Sequence, residues 1–291
     1  MEVKEIKVKS VLSKSNLPIG DYSVNPYVGC RFACKYCYAS FMKRFTNHPE
    51  PWGQFVDVKY WDDFNVEKYR GKELFFGSVT DPYQPVEAEF KRTQTLLKQL
   101  QGSGIHLNIS TKSDLIVRDL DLIKSFPGSR VSWSINTLDE KFKRTMDKGA
   151  SIRRRLDAMK AFYDAGVQTA LFISPIFPGI TDPIEIIEAG KDRCNLVWLE
   201  NLNLRGEYKP VILNWIHENH PELDDLYHQI YVKKDRTYWQ QLDEKIREYA
   251  RENGFTYVRD DDSVRAPFGE LPVINNYFYH EEVRKSAKKD K

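Results

Sequence analysis

Short apolar runs alternate with longer amphipathic stretches through the middle of the chain. The runs at 73–79, 106–111, 130–136, 168–176 and 195–203 are predicted strands. Between them, 87–101, 115–125, 152–166 and 183–189 carry a helical pattern, each leading into the next strand. Alternation of this kind predicts parallel βαβ units. A first strand at 22–25 brings the count to six, enough for an incomplete barrel but not for the closed eight-stranded form. The aromatic-rich segment 41–70 is expected to supply a first helix and an insertion between strands one and two. After 203 the pattern changes to helices at 210–220 and 238–253, a cap at Gly254 and a final strand at 255–258. The expected organisation is therefore a barrel over 1–205 and an α/β extension over 206–291 that closes its open side, with a charged tail from 282.

Composition narrows the class of protein. With 44 basic and 42 acidic residues the net charge is +2, so no global pull toward nucleic acid or membrane exists and any such partner needs a local patch. Four cysteines, three of them crowded together, do not form a disulfide framework and point to a reducing compartment. The first residues, Met1-Glu2-Val3-Lys4-Glu5, lack the apolar core of a signal peptide, and no run approaches the ~20 apolar residues that span a bilayer. A soluble, cytoplasmic protein with no membrane partner is expected.

The crowded cysteines lie in Asn25-Pro26-Tyr27-Val28-Gly29-Cys30-Arg31-Phe32-Ala33-Cys34-Lys35-Tyr36-Cys37-Tyr38-Ala39, spaced C-x3-C-x2-C. A zinc site would want a fourth Cys or His at matching distance; the nearest candidate, His48, lies eleven residues beyond Cys37. Three thiolates leave one position open, which suits a four-iron cluster whose unique iron binds something else.

This spacing, with an aromatic before the last cysteine, resembles the cluster loop of radical S-adenosylmethionine (SAM) enzymes, a family built on a partial (β/α)6 TIM-type barrel. The resemblance implies that Cys30, Cys34 and Cys37 hold a [4Fe-4S] cluster, that the fourth iron chelates the amino and carboxylate groups of S-adenosylmethionine, and that Tyr36 lies by the adenine. In that family the reduced cluster cleaves S-adenosylmethionine to methionine and a 5′-deoxyadenosyl radical, which takes a hydrogen atom from substrate.

In such a barrel, ligand groups belong at the carboxyl ends of the strands. Strand two ends in Gly77-Ser78-Val79-Thr80-Asp81-Pro82-Tyr83, where relatives carry Gly-Gly-Glu. The partner of the methionyl amino group is thus Ser78, Thr80 or Asp81, unless Asp81-Pro82 simply builds a turn. Lys112, after strand three, can pair with the methionyl carboxylate as a point charge. Ser132, Ser134 and Asn136 share one face of strand four and suit a ribose or carboxylate, or else cap the strand end. The stretch from Ser174 to Asp182 could approach the adenine. Glu200, inside an apolar run, needs a partner or faces the cavity; with Asn203 it is a substrate-site candidate or part of a structural ion pair. Tyr83, Trp133, Phe177 and Arg205 are expected at the mouth, against the substrate.

Over residues 20–205, the order of the cysteine loop, Thr80-Asp81-Pro82-Tyr83-Gln84-Pro85, Thr111-Lys112-Ser113 and Ser134-Ile135-Asn136 resembles the spore photoproduct lyase-like branch, often labelled DNA repair photolyases. Tyr36 and Tyr38 match that branch's radical-transfer tyrosines, and with Glu200 they are the catalytic candidates. The branch's donor cysteine has no counterpart in 73–80, and Cys194 reads as a small buried residue. Two substrate classes follow: a peptide, as in maturases of ribosomal peptides, or a nucleic-acid lesion. Balanced charge and the acidic Asp224-Asp225 and Asp260-Asp261-Asp262 favour the peptide. A reductant such as flavodoxin or ferredoxin is an expected partner, and a non-catalytic iron-sulfur or zinc module is the reading from another class.

Overall fold

The computed structural model describes residues 2–15 and 19–279. In chain order the strands are β1 (Glu2–Lys7), β2 (Leu12–Lys14), β3 (Tyr22–Val24), β4 (Tyr27–Val28), β5 (Phe55–Tyr60), β6 (Glu73–Phe76), β7 (His106–Thr111) and β8 (Arg130–Ser134). They are followed by β9 (Gln168–Ile176), β10 (Leu196–Asn201), β11 (Tyr257–Arg259) and β12 (Val273–Asn276). Strands β3, β6, β7, β8, β9 and β10 are neighbours in that order and all parallel, which is the six-stranded open barrel the alternation predicts. No helix among the described residues is long and apolar enough to cross a membrane.

Side-chain parity divides the sheet into two layers. Leu74, Phe76, Leu107, Ile109, Val131, Trp133, Leu171, Ile173, Val197 and Leu199 are buried in one core with Leu96, Leu97, Ile123, Met159, Phe162, Ile186 and Ile187 of the crossover helices. The alternate positions face the barrel interior: Ala170, Leu196 and Trp198 pack with Ala266, Val273 and Tyr277 from the C-terminal segment. β9 and β10, buried on both faces, read as near-continuous apolar runs, while β7 and β8 alternate apolar and polar residues.

Four expectations are corrected. Segment 41–70 holds no α-helix; it forms a 3-10 turn (Tyr38–Phe45), strand β5 and a second 3-10 turn (Val66–Tyr69), and β5 joins β1 and β4 in a separate three-stranded sheet. The helix expected at 87–101 is two, Glu87–Phe90 and Arg92–Leu100, because Lys91 turns left-handed (φ 51°) and the Glu87 carboxylate accepts the N–H groups of Thr93 and Gln94 at 2.9 and 3.1 Å. The stretch 115–125 is a 3-10 turn, Leu115–Asp119, running into a short helix, Leu120–Lys124. Finally, the strand expected at 255–258 is not the last: β11 is followed by β12, which lies between β10 and β11 and is parallel to both. Its sequence, Val273-Ile274-Asn275-Asn276, ends in amides that look like a turn, yet Asn275 is fully buried with its amide donating to Asp261 O and Tyr277 Oη.

Residues beyond 205 also contribute the helices Tyr208–Asn219, Asp224–Tyr231 and Thr237–Glu252. The charged tail from 282 lies outside the described residues.

Candidate active site at the barrel mouth

The cysteine loop leaves β4 at Gly29, which adopts φ +84° with its Cα so close to β5 that an added Cβ would stand 2.3 Å from Phe55 O. Left-handed backbone costs an alanine about 1–2 kcal/mol before that overlap is counted. Gly29→Ala is therefore expected to lower stability in urea titrations by at least that amount and to reduce iron uptake on reconstitution; a variant with wild-type midpoint and iron content would refute the packing argument.

The loop is pinned to the strand-two end by side chains. Gly29 O accepts from Thr80 Oγ1 (2.6 Å) and Gln84 Nε2 (3.1 Å), while Gln84 Oε1 accepts the Arg31 N–H at 2.9 Å. Asn25 donates to Ser78 Oγ (2.8 Å) and accepts from Val79 N (3.2 Å). On its other side the loop pairs with 146–148: Lys35 N–H donates to Met146 O (2.9 Å) and Lys148 N–H to Phe32 O (2.8 Å). A left-handed turn at Ala33 (φ 46°) brings Cys30, Cys34 and Cys37 onto one cavity of about 380 Å³ at the carboxyl ends of the strands.

The thiols there are shielded from water. Burial pushes Cys30 up to about 12, Cys34 well above its ordinary value, and Cys37 up as well. Thiols in such a setting stay protonated near neutral pH and ionise readily only against a cationic centre. The indole N–H of Trp52 is buried without a hydrogen-bond acceptor, yet it faces Cys37 closely enough to offset part of that thiol's rise. An orphaned donor beside a sulfur ligand fits an iron-sulfur group, whose sulfurs accept hydrogen bonds. Among the described residues no three His, Cys, Asp or Glu side chains close around a single ion.

The expected cofactor residues separate into two groups. Ser78, Thr80, Asp81, Lys112 and Ser134 line the cavity with the cysteines, Tyr36 and Tyr38. Thr80 is committed to the Gly29 carbonyl, and Asp81 accepts from Thr111 Oγ1 (2.8 Å), Lys112 N (2.7 Å) and Tyr83 N (2.9 Å), so it joins the ends of β6 and β7 as well as building the turn. Burial raises the Asp81 carboxyl above its usual range despite those donors. Lys112 Nζ lies 5.8 Å from the Tyr36 ring centre. Ser132 and Asn136 do not line the cavity. Ser132 sits one step deeper, bonded to Ser110 Oγ at 2.6 Å, and Asn136 lies past the end of β8, its amide 3.4 Å from Pro175 O. Parity put all three on one face, but only Ser134 is at the right depth.

Among the catalytic candidates, Glu200 lines the cavity and accepts from Ser174 Oγ at 2.5 Å, with Asn203 and Arg205 nearby on the same wall. Tyr36 is buried, its hydroxyl donating to Asp147 at 3.1 Å, while Tyr38 is 45% exposed at the mouth and donates to Ser78 O. Of Tyr83, Trp133, Phe177 and Arg205, the residues expected at the mouth, Arg205 alone lines the cavity. Tyr83 bonds Asp119, Trp133 packs on Phe162, and Phe177 packs on Tyr36 and Phe142; each is fully buried in the outer core. Cys194 is buried, its thiol 3.4 Å from Gly190 O and away from the cavity.

Sequence reasoning missed the network behind the loop. Arg155, fully buried, donates to Asp147 Oδ1 (2.5 Å), Ser134 O (2.9 Å) and Ala150 O (2.9 Å), and Lys143 lies 3.8 Å from the same carboxylate. An arginine spaced with Ile152, Met159 and Phe162 on the apolar side of Ile152–Asp164 was the available signal. Phe75, Phe172 and Ser110, inward-facing strand residues, were missed too, whereas Ser174 and Pro175 of the stretch expected near the adenine do line the cavity.

Comparison with known proteins agrees with this geometry. Residues 24–189, more than half of the chain, match the model of the radical SAM superfamily. An uncharacterised protein of Methanocaldococcus jannaschii is 36% identical over 226 residues, covering 76% of this chain and 85% of that one. A radical SAM Nα-GlyT isomerase of Pseudomonas phage M6 is 26% identical over 160 residues, covering 53% of this chain and 33% of the phage protein. The fold is shared with spore photoproduct lyase in complex with a dinucleoside spore photoproduct, at a TM-score of 0.59 and 16% identity, over 95% of this chain and 82% of that one. The match over 24–189 and the archaeal relative together show that the chain belongs to the radical SAM superfamily, a family of enzymes whose membership implies S-adenosylmethionine and an iron-sulfur cluster.

Proposed function

We propose that Cys30, Cys34 and Cys37 hold a [4Fe-4S] cluster and that the cavity they share with Lys112 and Ser134 takes S-adenosylmethionine. The observation that carries this is the convergence of three thiols, one buried and two partly buried, with a lysine and a strand-end serine on one cavity. When bound and reduced, the cluster supplies the electron that splits S-adenosylmethionine into methionine and a 5′-deoxyadenosyl radical. Lys112 offers its charge to the methionyl carboxylate, and the Ser78–Asp81 segment lies where the amino group would bind. The apolar walls at Phe32, Phe75 and Phe172 keep water from the reacting carbon. Glu200, oriented by Ser174, and Asn203 face the substrate side. Anaerobic reconstitution with iron and sulfide, then dithionite and S-adenosylmethionine, tests the reading; absence of 5′-deoxyadenosine would sink it.

For the substrate, a specific observation favours nucleic acid over peptide. The turn that follows the cysteine loop exposes Tyr38 (45%), Phe41 (41%) and Phe45 (66%), with the Arg44 guanidinium 5.4 and 4.7 Å from the Phe41 and Phe45 ring centres. Exposed aromatics interleaved with a cation are a stacking platform for bases. The acidic residues that argued for a peptide, at 224–225 and 260–262, do not line the cavity. Stacking is worth about 1–3 kcal/mol per base, so Phe45→Ala is expected to weaken binding of a fluorescent single-stranded oligonucleotide by about 5- to 150-fold. Wild-type protein that ignores the oligonucleotide would return the reading to a peptide.

A further inference from the structure

Cations gather on the cysteine loop away from the cavity. Arg31 and Lys35 belong to the loop itself but do not line the cavity, and both side chains are exposed. The backbone pairing of Phe32 and Lys35 with Lys148 and Met146 sets Arg144 and Lys148 beside them, also exposed. None of these four has an ion-pair partner among the described residues, unlike the neighbouring Lys143, which turns inward to Asp147. Four unpaired cations on two paired segments repel one another and are favoured when an anionic surface covers them.

From this geometry we infer that Arg31, Lys35, Arg144 and Lys148 form the docking surface for an acidic one-electron donor protein. The inference rests on the proposed cluster. Arg31 and Lys35 are the chain neighbours of Cys30 and Cys34 on the same loop, exposed where those cysteines line the cavity, so a donor seated there meets the loop that carries the thiols. Its approach leaves the cavity mouth free for substrate. The electron balance is simple: the donor's reduced flavin or iron-sulfur group is oxidised by one electron and the cluster is reduced by one, with no bond made or broken. Steering by opposite charge raises association rates by about 10- to 1000-fold and is erased by salt.

The test uses reconstituted full-length protein and flavodoxin hydroquinone, with the bleaching of the cluster absorbance followed by stopped flow. Arg144→Glu/Lys148→Glu leaves the loop sequence intact, and Lys35→Glu probes the loop directly. The expected result is wild-type iron content, a rate of reduction by flavodoxin at least about tenfold lower at low salt, and a much weaker salt dependence. Reduction by the small cationic methyl viologen radical should be unchanged. An unaltered flavodoxin rate in both variants would overturn the inference, as would an equal fall with methyl viologen, which would mean a disturbed cluster. Loss of oligonucleotide binding with the flavodoxin rate intact would reassign the patch to nucleic acid. Wild-type protein that takes up no iron and sulfide would sink the cluster reading, and this inference with it, whereas the other failures leave that reading standing.

Discussion

Replacing Cys34 by alanine is expected to reduce 5′-deoxyadenosine formation to the background seen without protein, and iron and sulfide uptake to a small fraction of wild type. The argument is one of ligand number. The loop offers three thiols to the proposed cluster, which would already leave one iron open, and two cannot hold it against solvent. No other thiol can substitute, since Cys194, the remaining cysteine, is buried in the outer core and pushed up to about 12 by burial. The measurement is iron and sulfide analysis with the absorbance of the reconstituted protein, followed by chromatography of the reaction with dithionite and S-adenosylmethionine. Full iron content and undiminished 5′-deoxyadenosine in Cys34→Ala would remove these cysteines from the site.

Arg155→Met should be the most destabilising single change behind the loop. Arg155 is 1% exposed and holds Asp147 at 2.5 Å while bonding two backbone carbonyls, one of them on the cavity residue Ser134. Removing one partner of a buried pair strands the other, at about 3–5 kcal/mol. Lys143 at 3.8 Å and the Tyr36 hydroxyl compensate only in part. Burial by itself would raise Asp147, but Arg155 and its other cationic neighbours hold it below the ordinary 3.8. A carboxyl lowered in the folded state contributes stability that is full above its unfolded value and lost as pH falls through its folded one. Wild type should thus keep this contribution down to about pH 4, whereas Arg155→Met, with the carboxylate uncompensated, should lose it from the start and titrate at higher pH. Urea denaturation of metal-free protein at several pH values measures both effects. A loss under about 1 kcal/mol, or an unchanged acid limb, would show that the network does not hold the loop.

Expectation and structure diverge along a physical line. Strands β7 and β9 coincide with their predicted bounds: β9, covered on both faces, is apolar along most of its length, and β7 alternates Leu107 and Ile109 with polar residues in the two-residue period of a strand. Strand β6 ends at Phe76, short of 79, because Gly77 turns to φ +101° where a Cβ would meet Ser110 O at 2.6 Å. That contact joins residues distant in the chain, and no local pattern contains it. The same holds for β12, whose buried Asn275 is satisfied by Asp261 and Tyr277 and whose Asn276 by Asp243 and Tyr257, and for the helix break at Lys91, set by the carboxylate of Glu87.

By itself the sequence determined the three-thiol spacing, the barrel's alternation of elements and the family they imply, since each depends on residues near one another along the chain. Depth along a strand, and what stands behind a loop, were decided only by tertiary structure. Ser132, Ser134 and Asn136 share a parity, yet only Ser134 reaches the cavity, and Tyr83, Trp133 and Phe177 are claimed by the core rather than the mouth. Asp147 and Arg155, which back the cysteine loop from more than a hundred residues away, meet it only in the fold. Periodicity states which way a side chain faces; how far along the barrel axis it lies, and which charge will neutralise it there, depend on register and packing between distant segments.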